Sequence, residues 1–276
     1  INPYLGGMNA TLEAMRNVAA VGATPHALSD CLCFGNPEKP HQMWEFVEAV
    51  KGVSDACKGV KLKGHPKSPT PIIAGNVSFY NESKSNSIPP SPIISCLGKM
   101  DNVDKAITMS FKKINSKIFM VGKRKDELGG SLYYNLFGEL GANVPSPDLN
   151  EVKDQIYAIT DCIDNRLIES CHDISDGGIA IALSEMTFEN NIGCSVNIPG
   201  ELPTEKLLFS ETGGFIIEVE NSKTNNVNKI FNKYNISLEL IGETSKDQQL
   251  IINDAINIEV EEMKNLWTNG LRDKIR

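Results

Sequence analysis

Apolar residues at helical spacing alternate along this chain with short apolar runs that end in turn signals, so helices and strands are interleaved. Leu12, Met15, Val18 and Ala19 predict a helix over residues 11–21, stopped by Gly22 and followed by Pro25. Residues 27–32 read as a strand running into the turn-rich loop Cys33-Phe34-Gly35-Asn36-Pro37-Glu38-Lys39-Pro40. Trp44, Phe46, Val47, Val50 and Val53 predict a helix over 41–57. The basic stretch 58–71 reads as an exposed loop, 71–74 as a short buried strand, 81–92 as a mobile loop, and 93–97 as a further strand.

The second half repeats this alternation. A strand over 117–122 leads through Gly129-Gly130-Ser131 to a helix over 132–140, and a helix over 152–163 precedes a strand over 167–170. Then comes Cys171-His172-Asp173-Ile174-Ser175-Asp176-Gly177-Gly178, read as a loop, with a helix over 179–190 carrying Ile179, Leu183 and Met186. Strands over 194–198, 215–219, 238–242 and 250–252 alternate with helices near 227–234 and 260–268. The class is α+β, with a boundary near residue 114 that divides the chain into domains 1–113 and 114–276. A first domain that opens on a helix, with no earlier strand to pack on, leads us to expect a fragment of a longer protein.

Composition narrows the class without deciding it. Of 276 residues, 41% are hydrophobic and 22% charged, with a net charge of −8. That balance, without a basic stripe, excludes non-specific nucleic-acid binding. No apolar run approaches the ~18 residues that span a bilayer, so no membrane partner is expected. The seven cysteines are scattered, which reads as reduced thiols in a cytoplasmic protein. Cys31-x-Cys33 points two thiols the same way along a strand, yet no second pair or nearby histidines complete a zinc signature.

Polar residues meet glycines at strand ends in three main places. Asp30 can contact a nucleotide or metal, or simply form the turn. In Gly75-Asn76-Val77-Ser78 the glycine permits close approach, while Asn76 and Ser78 fall on one side of an extended segment. A carboxamide oxygen can ligate Mg²⁺, and a hydroxyl can reach a phosphate. The other reading is a tight turn, with Phe79 and Tyr80 packing beside it. In residues 171–178, Asp173 and Asp176 can converge on one cation ahead of a helix start. The same stretch reads equally as an N-cap by Ser175 or Asp176, with His172 structural. Gly129-Gly130-Ser131 is a weaker helix start of the same kind. No Walker A pattern is present, so a nucleotide site would be of another type.

Taken together, the motifs at 30–40, 75–82 and 172–178, in that order, resemble phosphoribosylformylglycinamidine synthase, in the second half of its synthetase subunit. The resemblance covers essentially the whole chain. It implies an aminoimidazole ribonucleotide synthetase-like module, with a truncated N-terminal α/β domain followed by an α+β C-terminal domain. The implied reaction converts formylglycinamide ribonucleotide, ATP and ammonia to formylglycinamidine ribonucleotide, ADP and phosphate in purine biosynthesis, with Mg²⁺ as cofactor. Ammonia would come from glutamine through a glutaminase domain or subunit.

Matching the motifs places Asp30 and Gly75 at nucleotide-contacting positions, Asn76 at a Mg²⁺ position and Ser78 at a substrate position. Asp173 and Asp176 match a second acidic motif of nucleotide or metal type. The family's catalytic histidine lies in the first half of the synthetase. We therefore expect this chain to need that half as a partner, to be inactive alone, and to form a homodimer in its absence. An alternative is an auxiliary nucleotide-binding structural module without chemistry. Departures from the family pattern are Cys33 in place of the usual Asn, a longer loop over 61–71, and no Arg in Ser210-Glu211-Thr212-Gly213-Gly214.

Overall fold

The computed structural model describes residues 1–84 and 86–275. The chain begins with a helix, α1 (Pro3–Ala20), that starts well before the expected residue 11. Asn2 caps it by accepting from the Leu5 N–H, and Pro3 occupies the first turn, where no N–H is needed. Gly7 does not break the helix. It marks the contact with the next helix, because a Cβ there would lie 2.3 Å from the Ala49 carbonyl oxygen.

Strand β1 (Thr24–Cys33), helix α2 (Pro40–Gly59), β2 (Ile72–Ser78) and β3 (Ser91–Lys99) complete the first half. The three strands form one sheet in the order β2-β1-β3, with β1 parallel to β2 and antiparallel to β3. Helices α1 and α2 pack on one face of this sheet through Met8, Leu12, Met15, Leu28, Val53 and Ala56, joined by Ile94 and Cys96. Among the described residues nothing covers the other face, where Ile93 and Leu97 are 59% and 57% exposed. β2 corrects one expectation. Instead of a buried strand ending at residue 74, it runs to Ser78 and is exposed for nearly its whole length. It is an edge strand, held by parallel pairing to β1 rather than by burial.

The second half is built on a seven-stranded sheet. Its strands are β4 (Lys117–Val121), β5 (Ser170–Ile174), β6 (Gly193–Val196), β7 (Gly214–Val219), β8 (Leu238–Ser245), β9 (Gln249–Ile252) and β10 (Ile256–Glu259), in the order β10-β9-β6-β8-β4-β7-β5. Both faces of its centre are buried. Phe119, Val121, Phe215 and Ile217 face α4 (Leu149–Asp164) in a core continuous with α1 and α2. Ile118, Met120 and Ile216 face α5 (Gly178–Thr187) and α6 (Thr204–Phe209). The α+β class is as expected.

The helix expected over 132–140 is only α3 (Leu132–Asn135). Gly138 and Gly141 adopt positive φ, and the chain folds back so that Gly130 N–H donates to the Leu140 carbonyl. The helix at 224–233, α7 (Thr224–Lys233), and the closing helix, α8 (Val260–Lys274), fall where expected. Among the described residues no helix is long and apolar enough to cross a membrane.

Candidate functional site

The pairing of β1 with β2 organises the first site. Asp30 lies opposite Gly75, Cys31 opposite Asn76, and Cys33 opposite Ser78. Because side chains alternate along a strand, this register divides the four expected residues between two faces. Asp30 and Gly75 share the helix-covered face, and Asn76 and Ser78 share the open one.

On the helix side, Asp30 lines a cavity of about 280 Å³ with Leu32, Val50, Val53, Cys57 and Ile72. Burial raises the Asp30 carboxyl above its ordinary value. Burial, reinforced by the Asp30 charge, pushes the Cys57 thiol up to about 11. A Cβ at residue 75 would lie 2.2 Å from Asp30 Oδ1, so any side chain there would push the carboxylate from this position.

On the open side, Asn76 Nδ2 lies 3.4 Å from Cys31 Sγ, and the Cys31 and Cys33 sulfurs are 3.7 Å apart. Ser78 Oγ accepts from Asn81 Nδ2 at 3.1 Å, and the same amide donates to the Phe34 carbonyl. The Phe34 N–H donates to the Ser78 carbonyl, and the Tyr80 N–H to that of Gly35. These bonds clip the loop after β1 to the loop after β2. Phe79 packs edge-on against Phe46, as expected. Tyr80 does not pack: it stands exposed at φ 58 and reaches only Glu38.

The 171–178 stretch is not the loop the sequence suggested. Residues 171–174 belong to β5, which pairs with β7 from Ser170 to Ile174. Asp173 is consequently buried, with Oδ2 unpartnered. His172 bridges two acids: Nε2 is 2.9 Å from Glu185 Oε2, and Nδ1 is 2.7 Å from the Asp173 backbone carbonyl and 3.4 Å from Asp173 Oδ1. Burial works against a charged imidazole here, but the bonds and charges of Asp173 and Glu185 outweigh it and raise His172 to about 9. An imidazolium held this way is a clamp, not a free base.

Neither Ser175 nor Asp176 caps α5. The cap position is Gly177, and Gly177 and Gly178 both take left-handed φ, of 75° and 68°. That requirement accounts for the glycine pair. The role of a cap falls to Glu211. Its Oε1 accepts from the Gly177 N–H at 2.9 Å and from the Leu132 N–H at 2.8 Å. Both helix starts that looked like phosphate sites therefore already hold a carboxylate of this chain. Ser131 is an ordinary cap that accepts from Tyr134 N–H.

Asp176 lines a cavity of about 370 Å³ with Glu13, Arg16, Gly129, Ser175 and Glu211. Burial raises Glu13, Arg16 lowers it, and the charges of Asp173, Asp176 and Glu211 raise it further, so these acids lie in one neighbourhood. Among the described residues no three His, Cys, Asp or Glu side chains converge on one metal position.

Two arginines that the sequence reading missed serve the 210–214 segment. Arg124 donates to the carbonyls of Thr212 and Ser210. Arg16, buried on α1, lies so close to Gly213 that a Cβ there would be 2.5 Å from Nη1. The signal for Arg16 was its place in the apolar stripe of Leu12 and Ala19. A further cavity, about 460 Å³, lies at the far end of β1, between Thr24, His26, His65 and α4. We do not place the site there. It holds none of the motif residues, and its three lysines are each matched by an aspartate: Lys63 by Asp161, Lys99 by Asp101 and Lys105 by Asp164.

Residues 1–100 match the AIR synthase related protein N-terminal domain, and residues 113–254 the corresponding C-terminal domain. The phosphoribosylformylglycinamidine synthase subunit PurL of Methanothrix thermoacetophila is 44% identical over 282 residues, covering 100% of this chain and 37% of that protein. The chain thus spans little more than a third of that relative. Among solved structures, T. maritima PurL complexed with FGAR superposes with a TM-score of 0.76 at 17% identity, covering 96% of this chain and 43% of the other. The same protein complexed with ATP gives 0.71 at 17% identity, covering 95% and 41%. At that identity the likeness shows the fold. With both domain models matched along the chain, this protein belongs to the AIR synthase related family and, within it, lies with the phosphoribosylformylglycinamidine synthase subunits.

Proposed function

We propose that this chain supplies the second module of a phosphoribosylformylglycinamidine synthase, one side of an ATP-dependent site that is completed by the first half of the synthetase. The observation that carries this reading is the β1/β2 register. It sets Asp30 beside Gly75 on one face and Asn76 and Ser78 on the other, within four consecutive residue pairs. The uncovered apolar face around Ile93 and Leu97 is where the partner half would pack. Domains 1–113 and 114–276 would then act as one unit.

The donor chemistry fits Mg²⁺. Asn76 offers a neutral hard oxygen on an exposed strand. Mg²⁺ keeps several waters and takes one or two protein ligands beside nucleotide phosphates. When bound, ATP would supply the phosphoryl group that activates the substrate amide oxygen, and Mg²⁺ would neutralise its phosphates. Asn76 would hold the cation through its carboxamide oxygen, with Ser78 hydrogen-bonding formylglycinamide ribonucleotide from the same face. Gly75, on the exposed edge strand, would contact the nucleotide through its backbone, with the Asp30 carboxylate set behind it on the helix-covered face. Ammonia would arrive from a glutaminase partner, and the setting would be the cytoplasm.

No catalytic acid or base is assigned within this chain. His172 is bound between two acids, which favours a structural role for the 171–178 motif; Asp173 would hold His172 and Asp176 would line a second cavity, neither serving the reaction site. The chain alone would accordingly be inactive. The test is reconstitution of this chain with the first half of the synthetase, supplied with ammonia, and an assay of ATP-dependent product formation. Asn76→Ala is expected to lower kcat by about tenfold or more, with folding unchanged. Turnover by the isolated chain, or full turnover by the Asn76→Ala pair, refutes the reading. Nucleotide binding without any contribution of Asn76 to turnover would identify an auxiliary module without chemistry.

A further inference from the structure

The thiols of Cys31 and Cys33 lie 3.7 Å apart on the open face of β1, both half-buried. The Asn76 carboxamide lies against Cys31, with 3.4 Å between Nδ2 and Sγ. We propose that this dithiol is a binding site for a thiophilic divalent cation, Zn²⁺ being the type, held by both sulfurs and the Asn76 carboxamide oxygen.

Geometry favours an ion over the obvious alternative, a disulfide. Two sulfurs bound at ~2.3 Å to one tetrahedral zinc stand about 3.8 Å apart. That separation already exists here, fixed by a strand that places residues two apart on one face. A disulfide would need the sulfurs at about 2.0 Å, with the Cα atoms two strand steps apart, about 6.6 Å, at the long end of the usual range. Closing it would bend β1, which is paired on both sides, with β2 and with β3. Binding an ion needs no such movement. Two Zn–S bonds form as two S–H protons pass to solvent.

The third donor follows from amide chemistry. Turning the Asn76 carboxamide over puts Oδ1 where Nδ2 now lies. No three His, Cys, Asp or Glu side chains converge among the described residues, so the ion would have two thiolates, one neutral oxygen and an open position. Such a site is exchangeable, unlike a closed structural zinc. Zinc there would also occupy the donor assigned above to Mg²⁺. That consequence rests on the proposed function, whereas zinc binding itself does not.

The experiment is a Zn²⁺ titration of the reduced full chain in competition with a chromogenic chelator, with circular dichroism to confirm folding of each variant. One equivalent is expected to bind. Cys31→Ser and Cys33→Ser should each weaken it by about tenfold or more, and Asn76→Ala by less. Cys96→Ser, a half-buried thiol on β3, should leave it unchanged. Sulfur-to-metal charge-transfer bands in the Co²⁺-loaded chain should vanish in either site variant. Absence of stoichiometric binding, or equal affinity in the Cys31→Ser/Cys33→Ser double variant, overturns the proposal. If zinc binds as expected but Mg²⁺-dependent ADP binding is indifferent to it, the zinc site stands and the Mg²⁺ assignment to Asn76 fails.

Discussion

Protonation of His172 should couple the stability of this protein to pH. The ring sits between Glu185 and Asp173 on β5. Burial disfavours its charge, but the two acids more than compensate and lift it from 6.5 to about 9. In the unfolded chain it returns to about 6.5. A folded pKa above the unfolded one gives stability that is fully present below pH ~6.5 and is lost as the pH rises through ~9. Integrating the linkage between these two values gives about 3 kcal/mol at pH 6 and under ~1 kcal/mol at pH 8.5. The expected loss across that window is therefore about 2 kcal/mol from this one residue. The assay is urea unfolding from pH 6 to 8.5 for the wild type and His172→Asn. Absolute stability will fall in the variant, since Glu185 and Asp173 lose their partner, so the readout is the slope with pH. Buried thiols add a fall of their own near the top of the window, because burial holds Cys57 at about 11 and Cys162 at about 12 while unfolded cysteines ionise earlier. That fall is common to both proteins and cancels in the difference. Parallel pH profiles for the two, or an NMR titration of His172 with a midpoint below ~7, would refute the clamp.

Three further outcomes follow from the same geometry. Gly75→Ala places a methyl 2.2 Å from Asp30 Oδ1 and should cost about 1–3 kcal/mol in urea unfolding, with partial recovery when Asp30→Gly is added; an unchanged midpoint refutes the close contact. Glu211→Ala strands the N–H groups of Gly177 and Leu132 and should cost about 1–3 kcal/mol, with Glu211→Gln milder; equal loss in both variants would mean that acceptance of these bonds is not the role of Glu211. Leu97→Asp on the open sheet face should change the stability of the chain by less than ~0.5 kcal/mol yet weaken its association with the first half in sedimentation; undiminished association would place the partner elsewhere.

Most elements were legible because their apolar residues have a clear period. The failures share a cause, which is that tertiary pairing decided what local signals could not. α1 extends back over Gly6 and Gly7, ahead of the apolar residues that marked it, because Asn2 and Pro3 start it and α2 needs the small residue at Gly7. β2 carries polar residues that read as a turn, yet its ladder with β1 keeps it extended to Ser78. Residues 171–174 read as a loop because of His172 and Asp173, whereas pairing with β7 makes them a strand and Glu185 neutralises the ring. The four residues of the first site stood out as polar groups beside glycines at strand ends, and the resemblance implied a role for each. Their division between two faces follows from the β1/β2 register, which a single sequence does not fix. Glu211 could not have been assigned, since its partners lie 34 and 79 residues away in the chain.

The position of Glu211 has a consequence for how the second half holds together. Two helix starts that could have waited for a phosphate are served by a group tethered to the same chain, whose effective concentration no dilution changes. Order in this region is therefore independent of metabolite supply. Stripping the protein of anions by dialysis should leave α3 and α5 in place, and adding phosphate should raise the Tm little, because mass action offers nothing to a site that is already intramolecularly filled.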